Sequence, residues 1–163
     1  MKIEKAIKQK QFDDEHKKAI VNIIYTGNWL SAAHNKALKP YGISVQQYNI
    51  LRILRGQNGN PISVNALIDR MLDKMSNASR LVEKLRLKGL VERRTCARDK
   101  RQVDVLITED GLTFLDKVKE EITWFPDRCK QIISEEEAQV LNQLLDRFRT
   151  EGASSDEDDV TPV

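Results

Sequence analysis

The sequence predicts a mainly α fold with one small β-hairpin: a helix-turn-helix and hairpin at the centre, long helices on either side. Three observations lead there. Apolar residues recur at three- and four-residue spacing through most of the chain. Two short helical patterns near the middle are separated by only a few residues. Alternation with a period of two runs over residues 102–107.

The first helix is read over residues 16–38, where Ala19, Ile20, Ile23, Ile24, Gly27, Leu30, His34 and Leu38 recur at helical spacing. Trp29 projects about 180° from Ile20 at 100° per residue, so this helix is apolar on two sides. Such a helix lies between two partners, here the rest of the domain and a second subunit. Pro40 and Gly42 end it. Ser44 with Gln47 three residues on is a capping-box pattern, opening a helix with Tyr48, Leu51 and Leu54 inward. GQNGN, residues 56–60, is a loop. Ser63 caps a third helix bearing Val64, Leu67, Ile68 and Met71 on one face. LDKMS then turns the chain, and Ser76 is read as the cap of a fourth helix with Ala78, Leu81, Val82 and Leu85 facing the core. Gly89 stops it.

LVERRT and QVDVLI flank CARDKR as a hairpin whose cation-rich loop reaches away from the body. Thr108 caps a long helix carrying Leu112, Leu115, Val118, Ile122 and Phe125, which Pro126 should interrupt. Ser134 with Glu137 opens a last helix with Val140, Leu141, Leu144, Leu145 and Phe148. From Glu151 the chain is acidic and Ser-rich without apolar periodicity, and reads as disordered.

The 163 residues are 40% hydrophobic and 32% charged, enough for a proper core under a highly charged surface. No apolar run approaches the roughly 20 residues that span a bilayer. The first 18 residues lack the apolar stretch of a signal peptide, so the expected location is the cytoplasm, without membrane contact. Cys96 and Cys129 lie far apart, with no metal spacing around them; neither a zinc site nor any cofactor is expected. The formal charge of +2 is unevenly spread. Residues 70–101 hold eleven Lys/Arg against four acids, the tail from Glu151 holds five acids and no base, and the remainder is neutral. A basic centre in a neutral body points to a polyanionic partner meeting one surface.

The fourth helix says which partner. With Ala78 centred on the core face, Ser76 points about 160°, Arg80 about 200° and Lys84 about 240° away. The outward first turn, with Ser76, Asn77, Ser79 and Arg80, combines short hydrogen-bonding groups with one long planar donor. N-terminal residues of a helix lying in a major groove reach base edges, where Arg pairs bidentately with guanine and Asn with adenine. Ser and Asn also cap helices anywhere; the adjoining basic hairpin favours a reading surface over plain capping. In the loop, Arg98, Lys100 and Arg101 suit a minor groove or its flanking phosphates, and Asp99 would hold an arginine in orientation. Leu87 falls opposite the core face, and packs under the hairpin or on another element.

The order of elements, SNASRLVEKLRLKGLVER and the hairpin ending RDKRQVDVLITEDG resemble the MarR family of bacterial winged-helix transcription regulators, over about residues 16–149. The resemblance implies a winged helix-turn-helix over residues 43–108. It implies dimerisation helices over residues 1–42 and 109–150, followed by the acidic tail over 151–163. It further implies a homodimer on a palindromic operator in double-stranded DNA, acting more often as repressor than activator. Ser76, Asn77, Ser79 and Arg80 would read the major groove. Arg98 and Arg101 would enter the minor groove with Asp99 as supporting acid, and Lys84 would add phosphate contact. Many members are relieved by a small aromatic or lipophilic effector, for which Trp29, His34, Tyr41, Tyr48 and Trp124 are the candidate lining. Each of these also suits an ordinary core. No cysteine precedes Cys96, so an N-terminal oxidant sensor is not carried over; Cys96, beside the arginines, is a separate candidate for oxidation. A protein-interaction adaptor is the other alternative, separable by the salt dependence of DNA binding. No phosphate loop, zinc-protease motif or nucleophile elbow is present, and no enzyme activity is expected.

Overall fold

The computed structural model describes residues 1–95 and 103–153, the side chains at 120, 121, 123–125 and 151–153 excepted. The described helices are α1 (Ile3–Ala6), α2 (Glu15–Leu38), α3 (Val45–Arg55), α4 (Val64–Arg70), α5 (Ala78–Leu87), α6 (Glu109–Ile132) and α7 (Glu135–Ala153). The strands are β1 (Ile62–Ser63), β2 (Val91–Thr95) and β3 (Val103–Ile107). This is the mainly α architecture with a hairpin that the periodicity indicates. No helix among the described residues is long and apolar enough to cross a membrane.

Local signals set most boundaries. Asp14 opens α2 by accepting from the backbone N–H groups of His16 and Lys17. A 3-10 turn over Lys39–Tyr41, holding Pro40, closes it, and Gly42 follows in the left-handed region at φ 67°. Both halves of the capping box form at α3: the Gln47 N–H donates to Ser44 Oγ at 3.3 Å, and the Ser44 N–H to Gln47 Oε1 at 3.0 Å. Ser63 Oγ receives the Ala66 N–H at 3.1 Å and starts α4.

At α5 the expected cap is displaced by one residue. Asn77, not Ser76, is the N-cap, its Oδ1 receiving the Arg80 N–H at 3.0 Å. The Ser76 hydroxyl is instead turned back to the preceding loop, donating to Asp73 Oδ2 at 2.6 Å. The far end closes as a Schellman turn. Gly89 adopts φ 73°, its N–H reaches the Arg86 carbonyl at 2.9 Å, and the Leu90 N–H reaches that of Leu85 at 3.1 Å.

The sheet order is β1-β3-β2, all antiparallel, with Val91 opposite Ile107 and Thr95 opposite Val103. Ile62 opposite Val105 adds the third strand. Two residues are too few for any alternation to show in sequence. Leu51, Leu54, Leu67, Val82, Leu85, Val91, Val105, Leu115 and Val118 form the buried core. Each such side chain contributes about 1.5–3 kcal/mol by leaving water.

The segment ITEDG, residues 107–111, joins the hairpin to this core. Thr108 Oγ1 donates to the Gly89 carbonyl at 2.7 Å and receives the Gly111 N–H at 3.0 Å, so one hydroxyl links the end of α5 to the start of α6. A Cβ at position 111 would lie 2.2 Å from the Leu90 carbonyl oxygen, so only glycine fits that approach.

Two expectations need correction. Pro126 does not interrupt α6, which runs through it to Ile132. Proline removes one N–H, and the neighbouring turns keep theirs. The last helix also continues to Ala153, past Glu151, where the tail was expected to begin; residues 154–163 lie outside the described residues.

The chain divides into two units, Met1–Ile122 and Thr123–Val163. In the second, Ser134 opens α7 with a full capping box, its N–H donating to Glu137 Oε2 at 2.8 Å and its Oγ receiving the Glu137 N–H at 3.2 Å. Val140, Leu141, Leu144 and Phe148 on α7 are about half exposed.

Candidate nucleic-acid interface

The outward tip of α5 is the centre of the candidate surface. Asn77, Ser79, Arg80 and Lys84 are exposed, while Ser76 is half-buried. Ala78, Val82 and Leu85 anchor the opposite face in the core. That anchoring fixes the direction in which Arg80 points. Among the described residues, the Arg80 guanidinium and the Lys84 ammonium have no hydrogen-bond or ion-pair partner. Both are available to an external anion.

The two small polar residues are less available. Asn77 spends one lone pair of Oδ1 on its cap, leaving its amide N–H groups to donate. Ser76 is tied to Asp73, which also receives the Met75 N–H at 3.1 Å. The Ser76 hydroxyl, then the Met75 N–H and Gln46, hold the Asp73 carboxyl below its ordinary range. An ionised Asp73 beside the helix tip repels phosphate, a feature absent from the sequence reading.

The basic cluster is also less free than its count implies. Glu83 takes two hydrogen bonds from Arg86, at 3.0 and 2.8 Å, and one from Arg93 on β2 at 3.3 Å. The Arg86 guanidinium, with Arg93 beside it, holds the Glu83 carboxyl down to about 2. Arg94 is held by Glu92 at 2.8 Å, and Arg70 donates to the Ala66 carbonyl at 2.8 Å. Arg98, Asp99, Lys100 and Arg101, with Cys96, lie outside the described residues. Leu87, expected to pack under the hairpin or on another element, is 72% exposed.

The candidate effector residues divide. A largely apolar cavity of about 250 Å³ brings together His34 and Tyr48 with Leu38, Val45, Asn49, Arg52, Leu72 and Ile122. Trp29 is half exposed and not part of its lining. Tyr41 packs edge-on against Phe114, with ring centroids 6.1 Å apart. The side chain of Trp124 is outside the described residues. Sequence reasoning missed Arg52, whose guanidinium lies 5.8 Å from the Tyr48 ring centroid and donates to its hydroxyl at 3.1 Å. The signal was legible: Arg52 stands four residues after Tyr48, one helical turn on.

The family model for the MarR family matches residues 41–102, from the turn before α3 through α5 and β2 to the hairpin loop. Over this stretch, less than half of its length, the chain is similar to the MarR family of transcription regulators. Among relatives, the transcriptional repressor IacR of Pseudomonas putida is 26% identical over 125 residues, which cover 72% of this chain and 74% of that protein. The transcriptional repressor MprA of Escherichia coli is 32% identical over 84 residues, 52% of this chain and 48% of that one, so this match spans about half of the repressor's length. The solved structure of the organohalide-sensing regulator RdhR with 2,4-dichlorophenol bound superposes with a TM-score of 0.74 at 20% identity, covering 85% of this chain and 81% of that one. These relatives are repressors or regulators of transcription.

The matched segment contains both the exposed helix tip and the Glu83 cluster. The surface can present one oriented guanidinium and a nearby ammonium to DNA while most neighbouring arginines stay internally paired.

Proposed function

We propose that the chain is a homodimeric, sequence-specific double-stranded-DNA-binding repressor acting in the cytoplasm, relieved by a small aromatic or lipophilic effector. One observation carries the DNA reading: Arg80 stands unpaired among the described residues, on the exposed first turn of a helix whose other face is locked in the core. In this reading Arg80 contacts a guanine edge, Ser79 and the Asn77 amide contact neighbouring groups, and Lys84 contacts phosphate. Ser76 acts through the turn it holds with Asp73. Arg98, Lys100 and Arg101 extend the contact into the adjacent minor groove, with Asp99 orienting an arginine. The operator is a palindrome because a two-fold dimer presents two identical tips.

Support for the dimer comes from apolar surface. Ile20, Ile23, Ile24 and Trp29 on α2, and Val140, Leu141, Leu144 and Phe148 on α7, are all exposed in the single chain. An apolar stripe left exposed along a helix marks a surface for a partner, here a second copy of the chain. Residues 1–42 and 109–150 are the dimerisation regions in this reading.

For the effector, the cavity beside His34, Tyr48 and Arg52 offers an apolar wall with a cation at its edge. That combination suits an aromatic acid or phenol, the class to which the RdhR ligand belongs. The decisive experiment selects a bound sequence from random duplexes and measures affinity with and without 2,4-dichlorophenol. A palindromic sequence bound in preference to random DNA, and weakened by the phenol, supports the whole reading. Binding without sequence preference contradicts it.

A further inference from the structure

Recognition by two elements, a helix tip and a hairpin, requires that the two be held in fixed relation. A contact misplaced by 1 Å loses most of its bidentate geometry. The main-chain connection from α5 to β2 runs through Lys88–Leu90, and Gly89 within it adopts φ 73°. Beyond this turn, one side chain bridges the two elements by ion pairing among the described residues. Glu83 lies on α5 one residue short of a turn beyond Arg80. Its Oε2 accepts from both Arg86 Nε at 3.0 Å and Arg93 Nη1 at 3.3 Å, while Oε1 accepts from Arg86 Nη2 at 2.8 Å. Arg93 stands in the ladder opposite Val105, in the middle of the strand that leads into the hairpin loop.

The cluster holds one carboxylate against two guanidinium groups. Without the carboxylate, two cations that are one-third to one-half exposed would repel each other and be free to meet phosphates. Each added phosphate contact steepens the dependence of log affinity on log salt by about 0.9. Such contacts strengthen binding to any duplex and carry no sequence information.

We propose that Glu83 is a positioning residue that sets DNA specificity: its carboxylate tethers β2 to the reading helix and withholds Arg86 and Arg93 from indiscriminate phosphate contact. This rests on the DNA-binding reading above. Losing Glu83 loosens the root of the hairpin, which weakens operator contacts, and releases two cations, which strengthens contact with all DNA. Both effects push the ratio of operator to random affinity the same way.

The test compares full-length wild type, Glu83→Gln, Glu83→Asp, Arg93→Gln and the double variant Glu83→Gln/Arg93→Gln. Affinity for the selected operator and for random duplex is measured over 50–300 mM salt. Glu83→Gln should lower the operator-to-random ratio on the order of tenfold and steepen the salt slope on random DNA by about 1–2. Glu83→Asp should restore most of the ratio. Arg93→Gln should lower the ratio without steepening the slope. The double variant should fall short of the sum of the two singles, because both break one tether. An unchanged ratio and slope in Glu83→Gln, or full additivity, overturns the proposal. If Glu83→Gln does not fold, Arg93→Gln decides the matter by its ratio alone. Wild type without operator preference would instead overturn the DNA reading itself.

Discussion

Two regions of this molecule treat their apolar residues in opposite ways. Around α3, α5 and the sheet, most leucines, isoleucines and valines are buried, Leu87 being the exception; Leu51, Leu67, Val82 and Val105 expose nothing. Along α2 and α7 the same residue types, at the same helical spacing, stay near half exposed. Identical periodicity therefore means two things. In the first region it describes a core that the chain closes by itself; in the second it describes a surface that the single chain leaves exposed and that the proposed dimer would cover. The difference separates folding energy, independent of protein concentration, from association energy, which follows mass action.

Gly111→Ala should have the largest effect on that contrast. Its Cβ would collide with the Leu90 carbonyl at 2.2 Å and strike Ile107, so the self-closed region should lose on the order of 3 kcal/mol or fail to fold. Thermal melting measures this, with a fall in midpoint that does not depend on concentration. Leu51→Ala should follow, at about 2–5 kcal/mol. Leu144→Asp on α7 should sharpen the contrast from the other side. The helical signal in circular dichroism should persist at high concentration while sedimentation shifts from dimer to monomer. A dimer unaffected by Leu144→Asp would break the distinction between the regions.

A smaller effect is expected at the α5 cap. Asn77→Ala removes the acceptor for the Arg80 N–H and should cost about 1 kcal/mol, read by denaturant titration. Ser76→Ala should cost less, since that hydroxyl caps nothing and serves the preceding turn.

Acid should expose the Glu83 cluster. The carboxyl is held at about 2 in the fold against an ordinary 4.5, so its ionised form is favoured by folding. A depressed folded value means a contribution fully present above pH 4.5, lost progressively as pH falls towards 2. Stability measured across that window should fall less steeply in Glu83→Gln than in wild type. Equal slopes would show that the pairing with Arg86 and Arg93 does not persist in solution.

The sequence disclosed the helices well because their apolar stripes are long and their caps are short-range; Ser44, Ser63, Thr108 and Ser134 all act within three residues. It placed the α5 cap one residue early because Ser76 and Asn77 are equally good caps, and only the fold shows that Asn77 caps while the serine hydroxyl turns back to Asp73. Strand β1 left no trace because two residues cannot alternate. Pro126 misled because a missing N–H marks a weak point, and the surrounding turns decide whether the helix stops there. For the site, exposure of Arg80 and Lys84 followed from counting 100° per residue. The pairing of Arg86 and Arg93 by Glu83 did not, because Arg93 comes from a different element ten residues on. Charge counting treats those arginines as free, and the fold does not.

The most direct measurement is the affinity of Arg80→Ala for the selected operator and for random duplex at one salt concentration. If Arg80 reads a base edge from the tip of α5, operator affinity should weaken by about 1–3 kcal/mol while random-duplex affinity changes little. Lys84→Ala beside it should weaken both more evenly. Equal losses on both duplexes for Arg80→Ala, or none on either, would contradict the role assigned to the helix tip.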